Sequence, residues 1–139
     1  MPKTPRARTT DSGGTGKVGV MTLTPEAIAT AFSGHRFAEA YPALHEDLRW
    51  TLVGSSVIVG REAAIEACES TLAGLVDTTT RFVRFDTVVG AEAVAVDAVA
   101  EYESAEGSVT VASCDLYQFR NGQVVAIRSY TVEAAAGSA

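Results

Sequence analysis

Residues 109–119 read Val-Thr-Val-Ala-Ser-Cys-Asp-Leu-Tyr-Gln-Phe, and Arg120-Asn121-Gly122-Gln123-Val124 follows. An apolar, β-prone run that breaks at Asn-Gly and resumes at once is a strong hairpin signal, because both central residues of such a turn take φ > 0. Two paired strands are expected, Ser108–Arg120 and Gln123–Glu133. Upstream, residues 93–100 read Ala-Val-Ala-Val-Asp-Ala-Val-Ala. With a turn over Ser104–Gly107, the strand Glu92–Glu103 pairs with Ser108–Arg120. A further strand over Thr79–Val89 joins it through Gly90-Ala91. The C-terminal half is thus four strands in antiparallel sequence.

The N-terminal half reads as helices. Thr24-Pro25-Glu26 starts one, with Thr as N-cap and Pro at the first helical position. Ala27, Ile28, Ala31 and Phe32 give it an apolar stripe, and Gly34 stops it. Arg36–His45 reads as a second short helix, with Pro42 implying a break. Leu48–Val53 reads as a strand, Gly54-Ser55-Ser56 as a turn and Val57–Gly60 as a short link. Arg61–Leu75 forms a third helix with Ala64, Ile65, Cys68, Leu72 and Leu75 on one face. The fold class is α+β: about three N-terminal helices and an antiparallel sheet in one domain over 21–134. Residues 1–20, rich in Thr, Gly, Ser and Pro, are expected to be a disordered leader, and 135–139 a disordered tail.

Composition narrows the function. The chain has 139 residues and a net charge of −6. Lys3, Arg6, Arg8 and Lys17 stand against Asp11 near the N-terminus, so the acidic excess lies in the body. An acidic body matches nucleic acid poorly, and no nucleic-acid partner is expected. No apolar run approaches the roughly 20 residues that span a bilayer, so no membrane partner is expected. Cys68 and Cys114 are the two cysteines, with no Cys/His cluster beside them. That pattern argues against a disulfide framework or a zinc site, and for a reducing, cytoplasmic setting.

The unusual residues are Asp97 and Asp115, each inside an apolar strand. Burying an unpaired carboxylate costs several kcal/mol, so such a residue is paired, protonated or there for chemistry. Alternate strand residues share a face. Asp115 lies with Val111, Ser113, Tyr117 and Phe119, and Asp97 with Ala95, Val99 and Glu101. If both carboxylates point to the concave face they are neighbours, one is raised in pKa, and together they form an acid–base pair. The bland alternative is a pair satisfied by neighbours on the outside of the sheet. His35, in a Gly34 turn, reads as solvated. His45 reads as structural, and Tyr117 and Tyr130 as sheet aromatics with wet hydroxyls.

The order of elements resembles the NTF2-like superfamily, with its SnoaL-like, ketosteroid-isomerase-like and limonene-epoxide-hydrolase-like members. The likeness is carried by His45-Glu46-Asp47-Leu48-Arg49-Trp50, by Gly60-Arg61-Glu62-Ala63-Ala64-Ile65, by Asp115 through Val124, and by Arg128-Ser129-Tyr130. It implies a curved antiparallel sheet wrapped around the helices into a cone with one internal pocket. Beside ketosteroid isomerases, Asp115 falls on the acid of the oxyanion hole. The base position there falls near Thr51 or Leu52, and the oxyanion tyrosine near Ile28. Beside limonene-epoxide-hydrolase-like proteins, Asp97 falls on the water-activating aspartate, Ala95 on its arginine and Ser129 on the second aspartate.

The expected function is cofactor-independent acid–base chemistry on a small hydrophobic, oxygenated molecule: isomerisation, cyclisation or epoxide hydrolysis. Asp97 would be the base and Asp115 the acid or oxyanion stabiliser. Trp50, Leu52, Ser113, Tyr117 and Ser129 would bind substrate, with no metal. The alternative is a non-catalytic ligand-binding or dimerisation module. A homodimer is expected, because Val94, Val96, Ala98 and Ala100, continued by Ala112, Cys114 and Leu116, read as an apolar face turned away from the pocket.

Overall fold

The computed structural model describes residues 22–135 and 137–139. The expected leader over 1–20 lies outside the described residues. Helix α1 (Pro25–Ser33) begins where the sequence places it, with the Ala27 N–H donating to Thr24 Oγ1 at 3.1 Å. It buries Ile28, Ala29, Ala31, Phe32 and Ser33. Helix α2 (Phe37–Ala40) is much shorter than expected. Pro42 lacks the N–H that would bond Ala38, so the α-ladder ends. Tyr41–Ala43 make a single 3₁₀ turn, and β1 (Leu44–Leu52) starts immediately, taking His45 out of any helix.

Residues read as a link form a strand. β2 (Ser56–Val59) folds back on β1, pairing Trp50 with Ile58 and Leu52 with Ser56. Gly54, at φ 85, makes the reversal. Helix α3 (Arg61–Gly74) follows, burying Ala64 and Cys68 and leaving Leu72 exposed. Then come β3 (Thr79–Val89), β4 (Ala93–Ser104), β5 (Gly107–Arg120) and β6 (Gln123–Ala134). The Asn-Gly hairpin forms as expected, with Asn121 at φ 53, Gly122 at φ 78 and Arg120 paired to Gln123.

The sheet runs β2-β1-β6-β5-β4-β3, all antiparallel except β1 against β6. It is curved and unclosed, and the α+β expectation holds. Helix α1 packs against the concave side. Leu44, Leu48, Val94, Val96, Val124 and Ile127 are at most 1% exposed and form the core with Phe32, Phe37 and Trp50. Burying each large apolar side chain contributes about 1.5–3 kcal/mol.

Register decides which face each side chain takes, because paired residues project to the same side. Val94, Val96, Ala98 and Ala100 pair with Tyr117, Asp115, Ser113 and Val111, so they face inward. Ala95, Asp97 and Val99 pair with Leu116, Cys114 and Ala112, and face outward. The apolar face expected for dimerisation is therefore split. Its β4 half is core, and only Ala112, Cys114 and Leu116 lie on the outer side.

Candidate functional site

A cavity of about 180 Å³ opens between the end of α1 and the concave sheet. One wall is polar. β5 and β6 set Asp115 beside Ser129 and Ser113 beside Thr131, all lining the space. The other wall is aromatic: Phe32 and Phe37, His35 from the turn between α1 and α2, and Phe82 and Tyr102 from β3 and β4. Trp50 and Leu52 close the β1 side. A dry cavity of roughly 150 Å³ accepts a benzene-sized guest, so this one fits a single ring with an oxygen or two.

Asp115 is held from behind. The Ser33 hydroxyl donates to Asp115 Oδ2 at 2.7 Å, and its oxygen lies 2.6 Å from the Tyr117 hydroxyl. Ser33 has one proton and spends it on the carboxylate, so Tyr117 must donate to Ser33. Tyr117 is 1% exposed. Burial first, and the Asp115 charge second, push its phenol well above the ordinary range, so it keeps its proton. The chain Tyr117→Ser33→Asp115 thus orients the carboxylate without draining protons from it. A hydrogen bond to a charged group contributes about 1.5–3 kcal/mol, enough to fix one rotamer.

The sequence-based site is partly assembled. Trp50, Leu52, Ser113, Ser129 and Asp115 line the cavity together. The Trp50 indole N–H donates to Ser129 Oγ at 3.0 Å, which leaves the Ser129 proton free for the cavity. Tyr117 is not a wall residue. Its hydroxyl is buried behind Asp115 rather than wet.

Asp97 is not in the cavity. It projects from the outer face, paired to Arg84 at 3.2 Å, with side chains 52% and 40% exposed. The expectation of two neighbouring carboxylates fails on register: Asp97 lies opposite Cys114, and Asp115 opposite Val96. With the aspartates on opposite faces, they do not form the neighbouring acid–base pair.

Sequence reading missed Ser33, His35 and Tyr102. Ser33 looked like the last turn of an amphipathic helix, and nothing local marks it as the partner of a strand residue far along the chain. His35 was read as solvated, yet its ring stacks between Phe37 and Tyr102 at centroid distances of 5.5 and 6.1 Å. Burial lowers the His35 pKa, with the Asp115 charge opposing, and raises that of Tyr102. Cys68 and Cys114 are both free. Cys68, buried in the core, has its thiol pushed up to about 12, mainly by burial. Among the described residues no helix is long and apolar enough to cross a membrane, and no group of His, Cys, Asp and Glu could hold a metal ion.

The family model of the SnoaL-like domain matches residues 26–127. No curated protein matches the chain. Among solved structures, an NTF2-like protein of unknown function from Cytophaga hutchinsonii is 24% identical, with a TM-score of 0.69 over 77% of this chain and 95% of its own. An LEH-like epoxide hydrolase from M. tuberculosis is 21% identical, with a TM-score of 0.57 over 77% and 78%. A candidate SnoaL-like polyketide cyclase from Jannaschia sp. CCS1 is 16% identical, with a TM-score of 0.62 over 76% and 83%. These likenesses show an NTF2-like fold.

Proposed function

This chain belongs to the SnoaL-like domain family, and from that premise we propose that it moves protons on a small, oxygenated, single-ring molecule held in the α1–sheet cavity. Asp115 is the base. The observation that carries this is the Tyr117→Ser33→Asp115 chain, which aims at the cavity the only carboxylate among its lining residues. No cofactor is invoked. The step is enolisation. A C–H bond beside a carbonyl breaks, its proton passes to Asp115, and its electron pair moves onto the carbonyl oxygen. Return of the proton to another carbon gives isomerisation. Attack of the enolate on a second carbonyl gives cyclisation. Epoxide hydrolysis is the weaker choice, because Asp97, its expected water-activating group, faces outward.

Conversion of cyclohex-3-enone to its conjugated isomer, followed by ultraviolet absorbance, tests the step on a probe of the right size. Wild type should accelerate it, and Asp115→Asn should lose about 100-fold or more of that acceleration. Equal rates for the two proteins would sink the assignment of Asp115. No acceleration by wild type at all would leave a ligand-binding module as the reading.

A homodimer is proposed through the outer face of β5 and β6. Tyr130 and Val132, 43% and 62% exposed, extend Cys114 and Ala112 there. Light scattering should show a dimer at micromolar concentration and a monomer for Val132→Lys. A wild-type monomer contradicts the proposal.

A further inference from the structure

His35 occupies a backbone position that would be cheaper for glycine. The Arg36 N–H bonds the Ala31 carbonyl at 2.8 Å and the His35 N–H bonds the Phe32 carbonyl at 3.2 Å. These two bonds make a Schellman cap, whose left-handed residue is most often Gly. Here that residue is His35, at φ 67. The neighbouring glycine is no substitute. Gly34 is needed one position earlier, where a Cβ would lie 2.9 Å from the Thr30 carbonyl oxygen. Left-handed backbone at a non-glycine residue is strained and gathers at functional sites.

The strained residue turns its ring into the cavity. Phe37 from α2 and Tyr102 from β4 flank it, and Phe82 from β3 meets it edge-on at 5.6 Å. Its Nε2 lies 3.5 Å from the Tyr102 hydroxyl, at the limit of hydrogen bonding. The charge that reaches it is that of Asp115 on β5. A packed ring needs no imidazole, since phenylalanine would stack as well. A solvated histidine needs no such packing.

We propose that His35 is a second catalytic group of this cavity, its neutral imidazole N–H and the Tyr102 hydroxyl together holding the ligand oxygen on which charge develops while Asp115 takes the proton from carbon. The assignment rests on the acid–base reading of the site. The ligand class narrows to planar ring ketones and enones, whose oxygen can face the aromatic wall while the C–H edge faces β5 and β6. Charge balances: the electron pair released by the C–H bond rests on the ligand oxygen under two hydrogen bonds, and Asp115 returns the proton to another carbon. Neutral imidazole serves here as a donor because burial disfavours its charged form.

The probe is 4-nitrophenol, a planar ring whose anion mimics the developing oxyanion and whose absorbance reports its ionisation when bound. Wild-type protein should bind it with movement of the His35 imidazole nitrogen resonances in NMR. His35→Asn keeps a residue that tolerates left-handed backbone. With its melting temperature preserved, it should bind about tenfold or more weakly. Asp115→Asn should bind at least as tightly as wild type, having lost a like charge. Unmoved imidazole resonances, with unchanged affinity in His35→Asn, overturn the assignment of His35. If Asp115→Asn still abolishes enone isomerisation in that case, the acid–base reading survives alone. Failure of wild type to bind 4-nitrophenol likewise overturns the assignment of His35, and the enone assay of Asp115→Asn again decides the acid–base reading separately.

Discussion

Asp115 and Asp97 sit on paired strands and differ in one respect, the side of the sheet they face. Asp115 projects inward, is held by a serine on a distant helix and borders the cavity. Asp97 projects outward and shares its charge with Arg84 in water. An exposed pair of that kind contributes about 0–1 kcal/mol. A carboxylate in an apolar strand is therefore not by itself a sign of chemistry. What separates the two is whether the surrounding fold supplies donors that water does not.

The contrast between the faces can be broken where packing is densest. Leu48→Ala, at a fully buried position, should cost about 2–5 kcal/mol in urea unfolding, whereas Val88→Ala, on the outer side of β3 and away from the proposed dimer face, should stay within about 0.5 kcal/mol. Similar losses at both would mean that β3 is also covered on its outer side. Next in size is Ser33→Ala, which strands the Tyr117 hydroxyl. It should cost about 1–3 kcal/mol, and Tyr117→Phe, which leaves no buried donor behind, should cost less. The reverse order would show that the chain runs in the other direction.

A smaller effect appears on acidification. Burial holds the His35 pKa below its ordinary 6.5. The stability this neutral ring lends is fully present above that value and declines as pH falls through the lowered folded-state pKa. His35→Asn should flatten that part of a stability–pH curve, and an unaltered curve would mean that the ring is not shielded. Smallest of all, Asp97→Asn should change stability by no more than about 1 kcal/mol and leave enone turnover untouched. A large loss of activity would return Asp97 to the site by a route that the fold does not provide.

Much of this molecule is legible in its sequence. The Asn121-Gly122 turn, the Thr24 cap and the four C-terminal strands follow from local rules, because turns and caps are decided within a few residues. β2 is harder to read: four residues are too few for periodicity to register, although Val57-Ile58-Val59 after a Gly-Ser turn is a usable signal. The opposite facing of the two aspartates is legible too. A turn over Ser104–Gly107 sets Asp97 opposite Cys114, and Cys114 alternates with Asp115. Ser33, His35 and Tyr102 were not legible. Their meeting depends on how α1 lies across the sheet, which is a matter of tertiary packing and leaves no trace in spacing.

The hairpin between β4 and β5 works like a reading frame. Its turn, which carries Ser104 opposite Gly107, lies outside the cavity, yet its length assigns every residue of both strands to one side or the other. Inserting or deleting a single residue within β4 would move Val94 and Val96 toward water and carry Asp97 inward, without altering any side chain of the site. Even-numbered changes at the turn would preserve that assignment. Variation in chain length within this family should accordingly be tolerated at the Ser104–Gly107 tip and rejected within the strands. A relative with an odd insertion in β4 should keep its acid on the counterpart of Asp115, because β5 stays in register with the last strand, and should show the inside–outside pattern of β4 reversed before the insertion.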